Sequence, residues 1–536
     1  MFSVPSGFVP AAESRRPGRA VATALLLVAV LAGCARGQTA AIDVPVDPGV
    51  VQTKAGALRG TVAADHRYFA GIPYAAPPVG PLRWQPPAPV PSWTGFRDAS
   101  RAGPRCIQDA SNDVDGRRTS EDCLTLNVWT PPPSGEPRPV MVWIHGGSFI
   151  NGSGDIYNAR RLASRGDIVV VTINYRLGAL GFLAHPALGP AGDVGNYGLA
   201  DQQAALRWVH DNIAGFGGDP SKVTIAGESA GGMSVCDHLV APGSEGLFSA
   251  AIIQSGPCQA QYDLPAAQST SLRYAAEAGC GDPATAAQCL RALPPDKLQR
   301  ALFYGRIGTE QLSGPVTGTK TLPVDPMMGA AEGRALRVPV MIGITADEFN
   351  LFTALQYVRG RAIDAAHYHE LLAEAFGPDA GAVGQHYPPE RFGGSVPLAY
   401  SAATTDGVFA CVADRMADAL SEAEPVYSYV FDDAMAPAPE PLREAPFPVG
   451  AGHSLELRYL FDVGGAPPLN PDQQRLSDEM MGYWSRFVAT GSPGSDWPAL
   501  NDGDVDRRMS LRPGGNRVTT DFDRVHECPF WAGPKG

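Results

Sequence analysis

Short runs of β-branched and other apolar residues recur along the chain, and within each run apolar and polar residues do not alternate. They lie at residues 140–144, 168–173, 223–226, 250–253, 338–344 and 426–431. A strand that shows no polar alternation is covered on both faces, as in a parallel sheet. These runs therefore predict the buried strands of a mostly parallel sheet.

Amphipathic stretches follow three of the apolar runs and predict helices at residues 198–213, 229–239 and 471–489. Residues 266–312 and 361–420 also have a helical pattern. Strands that alternate with helices are typical of a doubly wound α/β fold. We predict one α/β core with a large helical insertion between about residues 260 and 430, and we find no internal repeat.

The N-terminal stretch has the layout of an export signal. Arg15, Arg16 and Arg19 precede an apolar run at residues 20–32. That run is too short for a membrane-spanning helix, which needs roughly 20 residues. It ends in the sequence Leu-Ala-Gly-Cys at residues 31–34, which resembles a bacterial lipobox.

We therefore predict a signal peptide at residues 1–33 and a lipidated Cys34 as the first mature residue. The Pro-rich polar segment 34–51 would tether the lipid to a folded domain at residues 52–536. This predicts a bacterial lipoprotein anchored to a membrane surface through Cys34, facing the periplasm or the cell exterior. The alternative is an ordinary secretory signal that contains a cysteine.

Composition and charge narrow the function. The chain is 44% hydrophobic and 18% charged, which is typical of a globular protein. Its net charge of −13, with no stripe of Lys or Arg, argues against binding to nucleic acid, because a phosphate backbone needs a basic surface.

Cysteine usage fits an exported protein. Besides Cys34 there are eight cysteines, and an even number in an oxidising compartment predicts disulfides. Proximity along the chain proposes only the pairs Cys106–Cys123 and Cys280–Cys289.

A G-x-S-x-G motif at residues 227–231 lies between a predicted strand and a predicted helix. This is the strand–turn–helix setting of a nucleophile elbow, in which the serine lies on a sharp, strained turn. Glycines two residues to either side are needed because a Cβ there would clash. The motif predicts Ser229 as a nucleophile, and the alternative is a plain strand–helix turn.

The sequence His145-Gly146-Gly147 follows the apolar run 140–144. Upstream of an elbow, a Gly-Gly pair after a strand predicts part of an oxyanion hole. The backbone N–H groups of Gly146 and Gly147 would join that of Ala230, at the start of the helix after the nucleophile. His145 would have a structural role.

A nucleophilic serine needs a base, and the base needs an orienting carboxylate. In this fold class the acid and then the histidine follow the serine in the chain. His453 lies in a glycine-containing loop from which it could reach a site, whereas His238 lies in the helix after Ser229 and is expected to pack there. Asp347 and Glu348 follow the strand 338–344, and the residues alone leave both open as the acid.

Several longer motifs then resemble the type-B carboxylesterase family, which includes bacterial p-nitrobenzyl-type esterases and cholinesterases. The resemblance runs from about residue 56 to residue 531. The stretches that carry it, in chain order, are FAGIPYAAPPVGPLRW at 69–84, SEDCLTLNV at 120–128, GNYGL at 195–199, GESAGG at 227–232 and HSLEL at 453–457.

The resemblance implies an α/β-hydrolase fold, with a central, mostly parallel sheet flanked by helices. It implies a serine hydrolase that cleaves small-molecule carboxylic esters through an acyl-enzyme intermediate, without a metal or an organic cofactor. The residues that match the family's machinery are the triad Ser229, Glu348 and His453, the oxyanion-hole residues Gly146, Gly147 and Ala230, and the second hydroxyl near the acid, Ser255.

The resemblance also implies the disulfides Cys106–Cys123, Cys280–Cys289 and Cys411–Cys528. That leaves Cys236 and Cys258, which we predict to pair with each other. Phe349 stands where the family usually has glycine, which predicts an acid loop of different shape. The 106–123 loop has no tryptophan, so a cholinesterase is not expected.

Three other hydrolase activities use the same machinery: an amidase, a carbamate hydrolase and a lipase. A non-catalytic binding protein on this fold is a further alternative, and the complete triad argues against it.

Overall fold

The strands of the computed structural model are numbered here in chain order. The structure describes residues 47–109, 118–190, 192–361, 363–500 and 507–532. Within these ranges the strands are β1 Val50–Gln52, β2 Ala57–Arg59, β3 Thr61–Val62, β4 Arg67–Pro73, β5 Phe96–Asp98, β6 Arg105–Cys106, β7 Thr119–Ser120, β8 Thr125–Thr130, β9 Arg138–Ile144, β10 Val169–Ile173, β11 Gly218–Glu228, β12 Ala250–Gln254, β13 Tyr262–Asp263, β14 Gly305–Ile307, β15 Glu310–Leu312, β16 Val316–Thr317, β17 Val340–Thr345, β18 Val426–Phe431, β19 Arg508–Leu511 and β20 Arg517–Thr519.

The α-helices of the same ranges are α1 Arg160–Gly166, α2 Gly178–Phe182, α3 Tyr197–Asn212, α4 Ala230–Val240, α5 Leu264–Glu277, α6 Ala286–Ala292, α7 Pro326–Ala331, α8 Glu348–Val358, α9 Tyr368–Phe376, α10 Ala380–His386, α11 Val396–Thr404, α12 Cys411–Ser421, α13 Leu457–Leu460, α14 Pro471–Thr490, α15 Phe522–Val525 and α16 Cys528–Trp531. A π-helix, Thr405–Ala410, joins α11 to α12.

Eleven strands form one large sheet in the order β20-β19-β18-β17-β12-β11-β9-β10-β8-β4-β3. The seven strands from β19 to β10 in this order are parallel, and the strands at both edges are antiparallel. All six apolar runs in the sequence form parallel strands of this sheet. The predicted fold, a mostly parallel sheet flanked by helices, is confirmed.

The central strands lack polar alternation because each of their faces lies in a hydrophobic core. In β9, Val140, Val142 and Ile144 belong to the core on one face of the sheet, and Met141 and Trp143 belong to the core on the other. All five side chains are fully buried. Helices α3, α4 and α12 contribute to the first core, and α1 and α14 contribute to the second.

Helix α14 shows how the sequence sets the bounds of a covering helix. Asn470 accepts hydrogen bonds from the first turn, and Gln473 bonds back to the Asn470 backbone, which completes a capping box. The helix ends at Gly491, whose φ of 73° is left-handed. Its buried face, including Trp484 and Phe487, packs on the sheet.

The helical insertion differs from the prediction in two ways. Strand β17 lies inside residues 260–430 yet pairs with β12 and β18 in the central sheet, so the helical layer is split into segments before and after it. In addition, residues 305–312 form the β14–β15 hairpin and not a helix. Its two-residue turn places Gly308 at a φ of 54°, a conformation that favours glycine over residues with a Cβ.

The folded domain begins earlier than the predicted boundary at residue 52. Strand β1 pairs with β2, and Val51 is 4% exposed because its side chain packs in the core. The β-branched pair Val50-Val51 therefore belongs to the domain and not to the tether. The predicted signal peptide, Cys34 and the tether up to residue 46 lie outside the described residues.

The described ranges contain four disulfides: Cys106–Cys123, Cys236–Cys258, Cys280–Cys289 and Cys411–Cys528. All four match the predicted pairs. The last bridge joins the start of α12 to the start of α16 across 117 positions of sequence, so it fixes the C-terminal segment to the helical layer.

One continuous helical run, Val396–Ser421, is long and apolar enough to cross a membrane by length and composition. Within the protein, however, 78% of its most apolar window is buried. Its apolar character is accounted for by the hydrophobic core, to which both α11 and α12 contribute.

Candidate active site

Ser229 lies on a sharp turn between β11 and α4. Its φ of 56° and ψ of −122° fall in a region that non-glycine residues rarely adopt, at a cost on the order of 1–3 kcal/mol. The turn is held by a hydrogen bond from the Ser229 N–H to the carbonyl of Gln254, at the end of β12, over 2.9 Å. This is the strand–turn–helix arrangement of a nucleophile elbow.

The glycines of the motif are required by close backbone contacts. A Cβ on Gly227 would clash with the carbonyl oxygen of Gly231, and a Cβ on Gly231 would clash with the carbonyl oxygen of Ile144. The elbow thus packs directly on the end of β9. Only glycine at both positions allows the turn to come this close to the neighbouring strand.

The loop after β9 lies against the elbow. A Cβ on Gly146 would be 3.0 Å from the Cβ of Ser229, and Gly147 has a φ of 112°. Within the described residues, neither N–H group of this Gly-Gly pair donates to a backbone carbonyl. The N–H of Ala230, the first residue of α4, also lacks a carbonyl partner within its helix. Of the three predicted oxyanion-hole residues, Gly146 and Ala230 therefore lie beside Ser229, and Gly147 is the next residue of the same loop.

His145 has the structural role predicted for it. Its Nδ1–H donates to the carbonyl of Gly146 over 2.8 Å, and its ring stacks on Tyr175 at 4.4 Å. The Tyr175 hydroxyl donates to the His145 carbonyl over 2.8 Å. Burial lowers the pKa of His145 to about 4, so the ring is neutral and holds the Gly-Gly loop in place.

Glu348 is the carboxylate that contacts His453. It is the first residue of α8, three positions after the carboxyl end of β17, and its Oε2 lies 2.5 Å from the Nδ1 of His453. Its Oε1 accepts the N–H of Thr345 over 2.8 Å. The His453 N–H also donates to the Glu348 carbonyl over 3.1 Å. Both side chains are buried, at 0% and 3% exposure.

Asp347, the other candidate acid, has a different task. Its Oδ2 accepts the N–H of Ala451 over 2.8 Å, and its own N–H donates to the Ala451 carbonyl over 3.0 Å. These two bonds tie the start of α8 to the loop that carries His453. The side chains of neighbouring residues therefore differ in function: one contacts the imidazole, and the other holds its loop.

Phe349, which stands where the family usually has glycine, is accommodated by the core. Its ring is fully buried, packs edge-on against Tyr400 at 5.7 Å and fills the space above Gly308, where a Cβ would clash with it. Its N–H donates to the hydroxyl of Thr405 over 3.0 Å. The large side chain thus points into the helical layer and leaves the Glu348–His453 contact intact.

Two further buried glutamates surround His453, and the sequence analysis did not identify them. The Oε1 of Glu228 lies 3.1 Å from the Nε2 of His453 and accepts a hydrogen bond from the Ser454 hydroxyl. The Oε1 of Glu456 accepts from the side-chain amide of Gln254 over 3.1 Å. A signal was available, since Glu228 immediately precedes the nucleophile and Glu456 follows His453 by three positions.

The carboxylates determine the charge of the imidazole. Burial alone lowers the pKa of His453, but the facing carboxylates of Glu228 and Glu348 outweigh it and raise the pKa to about 9. Burial, together with the other two carboxylates, raises the pKa of Glu456 to about 8. Burial also raises the pKa of Glu228, against the opposing effects of His453 and Ser454. The cluster therefore stabilises a proton on His453.

Two aromatic rings enclose the imidazole. Phe352 of α8 lies 4.9 Å and Phe409 of the π-helix lies 5.3 Å from the His453 ring, measured between ring centroids. Apolar walls of this kind exclude water and so strengthen the charge interactions between His453 and its carboxylates.

Other buried histidines are engaged elsewhere. Both ring nitrogens of His238 are hydrogen-bonded, to Ser244 and to Gln202, and burial lowers its pKa to about 3. His526 pairs with Asp406 at 2.7 Å. Ser255 directly follows β12, and its hydroxyl is buried and makes no hydrogen bond within the described chain.

The chain is similar in sequence to known esterases. A sequence model of the carboxylesterase family matches residues 47–531. A fumonisin B1 esterase from Sphingopyxis macrogoltabida is 36% identical over 498 residues, which span 88% of this chain and 87% of that protein. A para-nitrobenzyl esterase from Bacillus subtilis (strain 168) is 35% identical over 474 residues, which span 84% of this chain and 93% of that protein.

Solved structures give the same result. A PNB esterase superposes with a TM-score of 0.77 at 31% sequence identity, covering 90% of this chain and 99% of that chain. A thermophilic PNB esterase superposes with a TM-score of 0.76 at 30% identity, covering 90% of this chain and 100% of that one.

We expect Glu348→Gln to lower kcat for p-nitrophenyl acetate by roughly 10³- to 10⁴-fold, with little change in KM. The Thr345 N–H selects the amide oxygen of the new side chain, because it already donates to Oε1. The amide NH₂ would then face Nδ1 of His453 and force its proton onto Nε2, the wrong tautomer for a base. Steady-state kinetics measure the effect.

Asp347→Asn is the matched control. It keeps an oxygen to accept the Ala451 N–H, so kcat should stay near the wild-type value, and any loss should appear as a lower melting temperature. Near-normal kcat in Glu348→Gln combined with an inactive Asp347→Asn would reverse the assignment of the two carboxylates.

Proposed function

Because the chain belongs to the carboxylesterase family and hydrolyses carboxylic esters with serine hydrolase machinery, we propose that Ser229 is its nucleophile, His453 its general base and Glu348 the acid that orients His453. The substrate is a small-molecule ester. The reaction proceeds in two halves, through an ester between the acyl group and the Ser229 hydroxyl oxygen.

In the first half, Nε2 of His453 takes the proton from the Ser229 hydroxyl as Oγ attacks the ester carbonyl carbon. Glu348 accepts the Nδ1–H of His453, which fixes the tautomer whose Nε2 lone pair is free. As the proton transfers, the imidazole becomes a cation between Glu348 and Glu228. The raised pKa of His453 means that this cation is stabilised where it forms.

The carbonyl oxygen becomes an oxyanion as Oγ adds. The N–H groups of Gly146, Gly147 and Ala230 would donate to it, and within the described residues none of the three donates to a backbone carbonyl. His453 then gives its proton to the leaving alcohol, which departs and leaves the acyl group on Ser229. In the second half, His453 takes a proton from water as the water oxygen attacks the acyl carbonyl carbon. His453 then returns the proton to the Ser229 oxygen, and the acid product is released.

One observation carries this proposal. The Nε2 of His453 is buried and makes no hydrogen bond within the described chain, although Glu228 lies 3.1 Å away. Nδ1 of the same ring is held by Glu348. A buried polar atom that makes no hydrogen bond calls for an explanation, and the proton of Ser229 supplies it.

We expect Ser229→Ala to lower kcat by about 10⁴- to 10⁶-fold, because the base and the oxyanion hole remain but no acyl-enzyme can form. Ester hydrolysis and circular dichroism together separate this loss from misfolding. Ser234→Ala, five residues further along, is the matched control, because its hydroxyl bonds to the Ala230 carbonyl within α4 and should affect stability only. Turnover retained in Ser229→Ala would place the nucleophile elsewhere.

We further propose that the protein is exported and anchored to a membrane surface through a lipid on Cys34. Support comes from the arginine-led apolar run at residues 20–32 and the lipobox-like sequence that ends at Cys34. The family match begins at residue 47, so residues 34–46 of the proposed tether lie outside it.

Cys34→Ser should release active enzyme from the membrane fraction, because the catalytic domain begins beyond the tether. Activity in membrane and soluble fractions, and the mass of the mature N-terminal peptide, measure this. Wild-type enzyme that is wholly soluble, with a mature N-terminus other than a lipidated Cys34, would contradict the anchor.

A further inference from the structure

Ser454, the residue after His453, joins two members of the site. Its hydroxyl donates to Oε1 of Glu228, the same oxygen that lies 3.1 Å from Nε2 of His453. A chain of contacts therefore runs from Ser454 through Glu228 to the nitrogen that takes the proton of Ser229. The Ser454 hydroxyl is not part of the triad of Ser229, His453 and Glu348.

The backbone of Ser454 is strained. Its φ of 65° lies in the left-handed region, which glycine adopts freely and which other L-residues rarely occupy. Glycine would relieve the strain but would remove the hydrogen bond to Glu228. A serine at this position therefore keeps the hydrogen bond to Glu228 although its backbone is strained.

The charge on Glu228 matters because one of its carboxylate oxygens lies 3.1 Å from Nε2, the nitrogen that gains the proton of Ser229. An ionised carboxylate at this distance stabilises the imidazolium that forms, whereas a protonated Glu228 would not. In this structure, the Ser454 hydroxyl occupies that oxygen, and the Glu228–His453 contact lacks hydrogen-bond geometry.

We propose that Ser454 is a positioning residue that holds Glu228 ionised and in place, so that Glu228 stabilises the His453 cation. The proposal rests on the proposed function, since it assigns to Ser454 a role in the same reaction. It concerns the base rather than the nucleophile.

The charged groups around this contact are few. His453 faces Glu348, Glu228 and Glu456. Glu228 faces His453, Glu348 and Glu456, and it also acts on Tyr157 and Tyr429. Burial raises the pKa of both tyrosines, so they stay neutral in the working range. The charge on Glu228 thus depends mainly on its burial, on His453 and on the hydrogen bond from Ser454.

Removal of the Ser454 hydroxyl is expected to lower the pKa of His453. A hydrogen bond to the charged form of a carboxyl favours that form, so removing the Ser454 hydroxyl raises the pKa of Glu228. Glu228 then carries less negative charge, the His453 cation is less favoured, and the pKa of His453 falls. Because His453 must be neutral to act as the base, the acid limb of the kcat/KM profile moves to lower pH.

We expect Ser454→Gly and Ser454→Ala both to move this limb down by roughly half to one pH unit and to lower the plateau of kcat/KM by about tenfold. Their stabilities should differ, because only glycine relieves the positive φ. Ser454→Gly should melt at or above the wild-type temperature, and Ser454→Ala should melt below Ser454→Gly. A shared kinetic change with different stabilities separates a positioning role from a structural one.

Glu228→Gln provides the decisive comparison. It removes the charge that Ser454 is proposed to hold, so it should move the acid limb in the same direction. Adding Ser454→Gly to Glu228→Gln should then change neither the limb nor the plateau further. A wild-type pH profile in Ser454→Gly, or an equal shift with and without Glu228, would overturn the proposal.

The role of Ser454 and the role of the triad are tested by different variants, so one can fail without the other. If Ser229→Ala removes activity and Ser454→Gly keeps the wild-type profile, only the role of Ser454 is lost. If Ser229→Ala keeps activity, the proposed function itself fails, whatever the Ser454 variants show.

Discussion

The contact between buried His453 and the carboxylates of Glu348 and Glu228 is the constraint on which the site depends. An unpaired charge in a protein interior is very costly, so these groups can be buried only together. Glu348 holds Nδ1 and Glu228 faces Nε2, so the imidazole can gain a proton without leaving its pocket. Placing the three groups within hydrogen-bonding distance requires three separate segments of the chain to end at one edge of the sheet.

The parallel sheet meets that requirement. Glu228 is the last residue of β11, and Glu348 follows β17 by three positions, while the loop after β18 brings in His453. The carboxyl ends of neighbouring parallel strands lie at one edge, which is where ligands bind in open α/β sheets. Glycines at the elbow and after β9 allow the backbone to approach closely there. The bonds between Asp347 and Ala451 keep the acid and histidine loops in register.

The sequence predicted the elements that depend on local pattern. The apolar runs identified the central strands because both faces of each are buried, and the glycine spacing around Ser229 identified the elbow. Two features were beyond local reasoning. The choice between Asp347 and Glu348 depends on which way adjacent side chains point, and the β14–β15 hairpin depends on a turn at Gly308 within an otherwise helical pattern. Glu228 and Glu456 lie close in sequence to Ser229 and His453, but their meeting around one imidazole depends on how distant segments of the chain pack together.

The most direct test of the account is the rate of covalent modification of Ser229 by a fluorophosphonate as a function of pH, followed by mass spectrometry of the peptide that contains residues 227–231. The reagent reacts with the serine only when its base can accept the proton. We predict modification at Ser229 alone, with a rate constant that rises with pH as His453 loses its proton and then levels off. Modification of a different residue, or a rate at Ser229 that is independent of pH, would contradict a nucleophile activated by the buried His453.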